Sequence, residues 1–195
     1  VGLGAAGVVM QAITRNPLAE PGLLGVNSGV TLTVTVAIAF FGYSSLAASM
    51  AFGFLGAGLT GALVYALGGV WQGAGPVRLV LAGAAVNVAL LASARIILVN
   101  SDTDVFDRFR TWTVGSLEGR GTELLLPTGA AVLAGFVIAY TISGALDASV
   151  LGHDLSRSLG IKPAVVLSFA TAAIIIMCGA VTAAAGPISF VGLTA

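Results

Sequence analysis

Residues 163–185 read Pro163-Ala-Val-Val-Leu-Ser-Phe-Ala-Thr-Ala-Ala-Ile-Ile-Ile-Met-Cys-Gly-Ala-Val-Thr-Ala-Ala-Ala185, and this uncharged stretch decides the fold. As a helix it would be about 34 Å long, enough to cross a hydrocarbon core of about 30 Å. In lipid only helices and closed barrels satisfy every backbone N–H and C=O. A barrel strand alternates apolar and polar residues over about 10 positions. The run Ala172-Ala-Ile-Ile-Ile-Met177 does not alternate. The stretch therefore reads as a spanning helix, and the chain as an all-α, polytopic transmembrane helical bundle.

The rest of the sequence extends this reading. Of 195 residues, 57% are hydrophobic and only 8% charged, with eight Lys+Arg against eight Asp+Glu. Soluble domains carry about 25% charged residues, so a soluble enzyme, a disordered chain and a nucleic-acid binder with a basic face are excluded. The charges cluster. Residues 100–123 hold Asp102, Asp104, Asp107, Arg108, Arg110, Glu118, Arg120 and Glu123, and residues 147–162 hold Asp147, Asp154, Arg157 and Lys162. Between Glu20 and Arg78 lie 57 uncharged residues, between Glu123 and Asp147 another 23, and after Lys162 the last 33. The spans expected from these gaps are 1–14, 28–43, 46–69, 79–99, 124–146 and 163–185, with a further helix starting near Pro187. Residues 1–14 lack a charged n-region and an initiator Met, so they read as the tail of a helix rather than a signal peptide.

The spans are rich in small residues, with 27 Gly in the chain. Small side chains let helices approach closely in lipid. Gly53-xxx-Ala57-xxx-Gly61 and Ala131-xxx-Gly135-xxx-Ala139 are stripes of this kind, read as bundle packing. Enzyme chemistry has little support. One Cys (Cys178) excludes an internal disulfide or an all-cysteine metal site, and the one His, His153, lies in a polar loop. No metal-ligand spacing, nucleophile elbow or phosphate loop occurs, so no catalytic, cofactor or metal residues are expected. Polar groups inside spans carry the functional signal, because burying them is costly. Arg95 lies deep in an apolar run, and Asn87, eight residues earlier, is about 80° away around the helix. Either the two face a solute pathway, or Arg95, about one turn from Asn100, snorkels to the interface. Gln11 faces the same choice, with interhelical hydrogen bonding as the alternative. None of the eight acids is expected at mid-span.

Four stretches carry a family resemblance. Gly7-Val-Val-Met-Gln-Ala-Ile-Thr-Arg-Asn-Pro-Leu-Ala-Glu-Pro-Gly-Leu-Leu-Gly-Val-Asn-Ser-Gly29 closely resembles the Q-x-x-x-R-N-P-L-A-x-P-x-L-L-G-x-x-x-G signature of the FecCD family, the permeases of bacterial ABC importers for iron–siderophores, haem and vitamin B12. Gln11, Arg15, Asn16, Pro17, Leu18, Ala19, Pro21, Leu23, Leu24, Gly25 and Gly29 fall on its fixed positions. Arg78-Leu-Val-Leu-Ala-Gly83 with Trp112-Thr-Val-Gly-Ser-Leu117 is similar to the family's R-L-x-L-A-G and W-x-x-G-S-L. Leu151-Gly-His-Asp-Leu-Ser-Arg-Ser-Leu-Gly160 resembles its cytoplasmic L-G-x-x-x-A-x-x-L-G segment, with Ser156 where Ala is preferred. Gly186-Pro-Ile-Ser-Phe-Val-Gly-Leu193 matches G-P-I-x-F-V-G-L. The family's earlier R-x-P-R stretch and its later Pro-His/Gln-x-x-R stretch are absent, so the chain reads as a fragment holding roughly six of about ten family helices.

The resemblance implies a BtuC-like permease fold in the bacterial cytoplasmic membrane, without catalysis of its own. Lys and Arg divide four against three between the two sides, which decides nothing by the positive-inside rule. The resemblance places the Arg15–Pro17 loop and residues 147–162 in the cytoplasm and residues 100–123 outside. The implied partners are an ABC ATPase dimer, a second permease subunit, an extracytoplasmic solute-binding protein and membrane lipid, with no nucleic acid. The implied coupling residues are Leu151, Gly152, His153, Asp154, Leu155, Ser156, Arg157, Leu159 and Gly160. Leu151, Leu155 and Leu159 form one apolar stripe suited to a groove on a partner; the alternative is a surface helix packed on its own bundle. Arg108, Arg110 and Arg120 are candidates for binding-protein contact, with Phe106, Phe109 and Trp112 on one face of an interfacial helix. The alternative there is a solvated loop with aromatic anchors. Ferric siderophores are the expected solute class. A secondary transporter or channel and a membrane-embedded enzyme are the competing functions.

Overall fold

The uncharged stretch Pro163–Ala185 forms one helix, and the others pack around it. The computed structural model describes residues 1–43, 45–72, 74–114, 122–150, 158 and 160–187. In chain order the helices are α1 (Gly2–Thr14), α2 (Val26–Phe41), α3 (Leu46–Leu67), α4 (Pro76–Val99), α5 (Thr103–Val114), α6 (Thr122–Val150) and α7 (Pro163–Ala185). Short 3-10 turns occupy Pro21–Leu24 and Val70–Gln72. Among the described residues the fold is all-helical. Among the described residues, four stretches are long and apolar enough to cross a membrane: Ala47–Gln72, Pro76–Val99, Leu125–Ala148 and Pro163–Ala185. Helices α1 and α2 are apolar but shorter.

Local chemistry sets the ends. Helix α2 stops at Phe41 because Gly42 turns left-handed at φ 66°, a conformation that glycine adopts without a Cβ clash. Ser45 then caps α3, its side chain accepting a bond from the Ala48 N–H at 3.3 Å. Pro76 opens α4 and Pro163 opens α7, where the missing N–H leaves no intrahelical bond unmade. Helix α4 thus starts three residues before the expected 79. Arg78 sits within its first turn, exposed. Helix α6 runs to Val150, so the first residues of the charged segment 147–162 continue the helix.

Small residues bring the helices together. A Cβ on Gly53 would stand 2.6 Å from Ala183 Cβ, one on Gly179 would stand 2.5 Å from Ala57 Cβ, and one on Gly61 would overlap Ile175. The pairs 53–183, 57–179 and 61–175 show α3 and α7 running antiparallel along the expected stripe. On another side of α7, Gly135 of α6 presses on Met177. Helices α2 and α3 meet at Gly29 and Gly56, where a Cβ on Gly29 would overlap Thr60 Oγ1 and lie 2.6 Å from the Gly56 carbonyl. Close approach also allows Thr33 Oγ1 to donate to the Phe52 carbonyl across the pair at 2.7 Å. Tyr65 and Ser168 share a hydroxyl hydrogen bond of 2.5 Å between α3 and α7.

The two ends differ in charge. Thr14, Arg15, Gly75–Val77, Leu146, Pro163, Ala164, Val166 and Leu167 surround a pocket of about 310 Å³ at one end, with Arg78 and Lys162 close by in sequence. At the other end Ala39, Phe40, Asn100–Asp102 and Val105 come together. Helix α5 leads off from there, carrying Asp104, Asp107, Arg108 and Arg110, all exposed.

The Gly29 contact leads to a contrast between two glycines. Gly29→Val should destabilise the detergent-solubilised protein by about 1–3 kcal/mol through overpacking. Gly58→Ala, at an α3 position with nothing within 4 Å of the added Cβ, should be neutral or stabilising by about 0.5–1 kcal/mol. Thermal unfolding of both variants checks the pair; equal effects would contradict the packing.

Candidate functional site

The signature loop begins at the bundle end and then runs into the bundle. Helix α1 ends at Arg15, which is left-handed at φ 51°. Asn16 organises the turn: its side-chain Oδ1 accepts from the Leu18 N–H at 3.0 Å, and its carbonyl accepts from the Ala19 N–H at 3.1 Å. Pro17 and Leu18 are exposed, whereas Ala19 and Pro21 are buried. The Pro21–Leu24 turn then lies against α4. A Cβ on Gly83 would overlap the Leu23 carbonyl and sit 2.9 Å from Leu24 Cα. Gly25, left-handed at φ 71°, has Gly83 O at 3.2 Å and Asn87 N at 3.5 Å from where its Cβ would be. Gly83 and Asn87 are about 10 and 16 Å along α4 from Pro76, at 1.5 Å per residue. The turn therefore reaches well into the bundle, and α2 starts near the middle of α4. That is why α2 has only 16 residues. Arg15 lies at the bundle end, whereas Pro21–Gly25 lie deeper, against the middle of α4.

Behind the turn a cleft of about 470 Å³ opens between the start of α2, the second half of α4 and α5. Its polar wall is formed by Glu20, Asn27, Thr31, Asn87, Arg95 and Thr113, and Phe109 and Leu91 supply apolar surface. Asn87, half-buried, and Arg95, exposed, thus share one cavity. Asn27 is fixed from behind: its Oδ1 accepts from Thr182 Oγ1 at 2.8 Å and from Cys178 Sγ at 3.3 Å, both on α7. Ser28 turns its hydroxyl back onto the Gly25 carbonyl at 2.7 Å.

Sequence reasoning missed Glu20 and Asn27. Glu20 lies in no spanning helix, in keeping with the absence of mid-span acids, but the turn carries it onto the cleft wall. Its available signal was the Pro21–Gly22 pair right after it. Asn27 had none, since one Asn at a helix start is ordinary. The other candidates lie apart. Gln11 is half-buried on α1. Arg108 pairs with Asp104 one turn away at 2.8 Å, with both groups exposed, a pair worth little in water. Arg110 is exposed nearby. Phe109 and Trp112 pack at 6.1 Å, with Trp112 buried and Phe106 exposed. Of the coupling segment, Ser158 and Gly160 are described, both exposed, with Gly160 at φ 77°. Leu151, Gly152, His153, Asp154, Leu155, Ser156, Arg157 and Leu159 lie outside the described residues, as do Arg120 and the helix expected after Pro187.

The chain is 43% identical over 195 residues to the ferric enterobactin transport system permease protein FepD of Escherichia coli K12, a match covering 98% of this chain and 57% of the relative. It is 36% identical over 193 residues to the Fe(3+)-citrate import system permease protein YfmD and 35% over 195 residues to the iron(3+)-hydroxamate import system permease protein FhuB, both of Bacillus subtilis 168. Those matches cover 98% of this chain and 56% and 50% of the relatives. The chain thus spans about half the length of these curated relatives. In three dimensions it is similar to a solved metal-chelate type ABC transporter in an inward-facing conformation, with a TM-score of 0.83 and 29% identity over 98% of this chain and 61% of that one. The sequence profile of the FecCD transport family matches residues 1–195, from the signature turn to the last apolar run. With that match end to end and the bundle in agreement with it, the chain belongs to the FecCD transport family.

Proposed function

We propose that the chain is part of the membrane-spanning permease subunit of an ATP-driven importer in a bacterial cytoplasmic membrane, with ferric chelates as cargo. The family match over all 195 residues carries this reading. The names of the relatives, which cover enterobactin, citrate and hydroxamate complexes, support iron chelates as the class. In this reading the chain does no chemistry. Two permease subunits form the pathway, a separate ATPase dimer hydrolyses ATP at the cytoplasmic end, and a solute-binding protein delivers the cargo outside. The choice of an ATP-driven importer over an ion-coupled secondary transporter rests on the family match.

The working surfaces are assigned by position. Leu151–Gly160, which joins α6 to α7 in sequence, meets the ATPase, and the family resemblance, not the Lys and Arg count, makes the end that carries Arg15 and Lys162 the cytoplasmic one. Arg108, Arg110 and Arg120, on and after α5, face the binding protein. Asn87 and Arg95 belong to the solute pathway.

Two measurements test this. Cys178 is fully buried, so a cysteine placed at Ser158, which is exposed, offers a new accessible thiol. In the full complex it should crosslink to the ATPase subunit, with a yield that changes on adding ATP. Absence of any crosslink in a transporting complex would remove the coupling assignment. On the opposite end, the double variant Arg108→Glu with Arg110→Glu should weaken binding-protein docking about tenfold at low salt, and less as salt rises, since screening shortens the reach of exposed charges. Titration of the binding protein onto the reconstituted transporter reads the change; unaltered docking would place the contact elsewhere.

A further inference from the structure

We infer that the pocket at the Arg15–Lys162 end of the bundle is a binding site for an anionic phospholipid, with the phosphate held by Arg78 and Lys162 and an acyl chain laid into the apolar cavity. Which leaflet supplies the lipid rests on the importer reading; the site itself does not. The cavity, about 310 Å³, lies where spanning helices begin and end. Pro76 and Pro163 are the first residues of two spans, and both line it. Thr14 and Arg15 end α1 on the same wall, and Leu146 comes from the last turns of α6. The site therefore sits at the boundary between hydrocarbon and headgroups. Trp71 marks that level independently. It is 82% exposed at the end of the span Ala47–Gln72 and meets Tyr65 edge-on at 6.0 Å, the placing of an amphipathic ring at a membrane interface.

Apart from Thr14 and Arg15 the lining side chains are apolar, among them Ile13, Val77, Leu146, Val166 and Leu167. Such a surface gains from covering by an acyl chain and little from a soluble anion. Three cations stand around it. Lys162 is exposed and immediately precedes Pro163. Arg78, exposed in the first turn of α4, folds back over the turn that follows α3. Its Cζ and Nη1 lie 3.1 and 3.2 Å from where a Gly69 Cβ would be, and Cβ of Ala74, on the pocket wall, lies 3.5 Å from the same point. Gly69 is left-handed at φ 65°, and its missing Cβ leaves the guanidinium that place. Among the described residues the side chains of Arg78 and Lys162 make no ion pair. Arg15 is already engaged within the protein and adds its field. The described acid nearest to the wall in sequence is Asp147, exposed beside Leu146. Three cations against one carboxylate leave this rim positive, the complement of a phosphodiester. The Arg78 fork can hold two of its oxygens while Lys162 adds a point charge. An acidic protein surface would satisfy the rim but leave the cavity unfilled; a lipid answers to both.

The test is titration of the assembled transporter, in a neutral detergent, with pyrene-labelled phosphatidylglycerol and with phosphatidylcholine of the same chains, read by energy transfer from the protein's tryptophans. Phosphatidylglycerol should bind the more tightly. Arg78→Gln with Lys162→Gln should weaken it about thirtyfold, the loss of two charges at the headgroup level, and leave phosphatidylcholine nearly unchanged. Arg78→Lys with Lys162→Arg should keep the preference. Ala164→Phe, which puts bulk into the cavity, should weaken both lipids; if that variant fails to assemble, the two charge variants still decide. Glycerol 3-phosphate, the same phosphate chemistry without chains, should displace neither lipid. Equal binding of the two lipids, or a preference that survives loss of both charges, would overturn the site. Displacement by glycerol 3-phosphate would make it a soluble-anion site, and loss of the ATPase with lipid binding intact would give the rim to that protein; either result overturns the lipid. The leaflet is read separately. With Cys178 buried, a cysteine replacing the exposed Gln72 should resist a membrane-impermeant maleimide added to intact cells. Labelling from outside would overturn the cytoplasmic orientation and leave the lipid site standing.

Discussion

The contact that the rest of the structure depends on is backbone against backbone. The Leu23–Leu24 peptide lies directly on Gly83 of α4, with no room for a Cβ between them. Non-helical backbone at membrane depth is tolerated only where protein covers it or it lines a cavity, and the turn meets both conditions. Its own bonds run from the Leu23 N–H to the Glu20 carbonyl and from the Gly25 N–H to the Gly22 carbonyl, at 3.0 and 2.9 Å. Once the turn is seated, much else follows. Helix α2 must start near the middle of α4, its first-turn side chains face the cleft, and Glu20 is carried inside.

A second constraint holds α2 in place. The hydroxyl of Thr182 and the thiol of Cys178 converge on Asn27, a half-buried polar node between two largely apolar helices. Interhelical hydrogen bonds of this kind average about 0.6 kcal/mol in membrane proteins, less than the packing around Gly29, Gly53 and Gly179 contributes. The node therefore adds orientation more than stability. It fixes which end of the Asn27 amide faces α7, and so which end is left for the cleft.

The spanning helices were legible because lipid imposes a simple rule on them: long runs without charge, bounded by charge. The gap after Lys162 located α7, and the gap between Glu123 and Asp147 located α6, though the helix extends past both charges because Asp147 needs only one helix face in water. The signature loop was legible as a motif but not as a shape. Hydropathy reports whether residues are apolar, not whether a Pro-Gly turn lies at the surface or against a glycine 60 residues away. The same limit applies to Asn87 and Arg95. Their spacing placed them near one helix face, but the facing wall comes from α2 and α5, and no pattern within α4 could name it. The small-residue stripe Gly53-Ala57-Gly61 was recognisable as a packing surface, while its partner α7 emerged only from the pairing of 53 with 183, 57 with 179 and 61 with 175.

Helices α4 and α7 each reach from the charged bundle end to the cleft. Gly75–Val77, Pro163 and Leu167 line the end pocket, while Asn87, Arg95, Leu98 and Pro187 line the cleft. Both are unbroken α-helices, of 24 and 23 residues, so displacement at one end is transmitted as rotation rather than absorbed by a kink. A tilt of α7 by about 10° about its Pro163 end would carry the far end roughly 6 Å at 1.5 Å rise per residue, a shift comparable to the width of a side chain. Thr182 ties Asn27 of α2 to α7, while Gly25, two residues earlier, rests on Gly83 of α4. Helix α2 is thus held to both helices, and such a tilt would load the wall that Asn27 and Arg95 share. In this geometry, the glycines that let α3 pass close to α7 also leave few interlocking side chains to resist such sliding, and the fold joins a rigid transmission to a cleft whose walls belong to different helices.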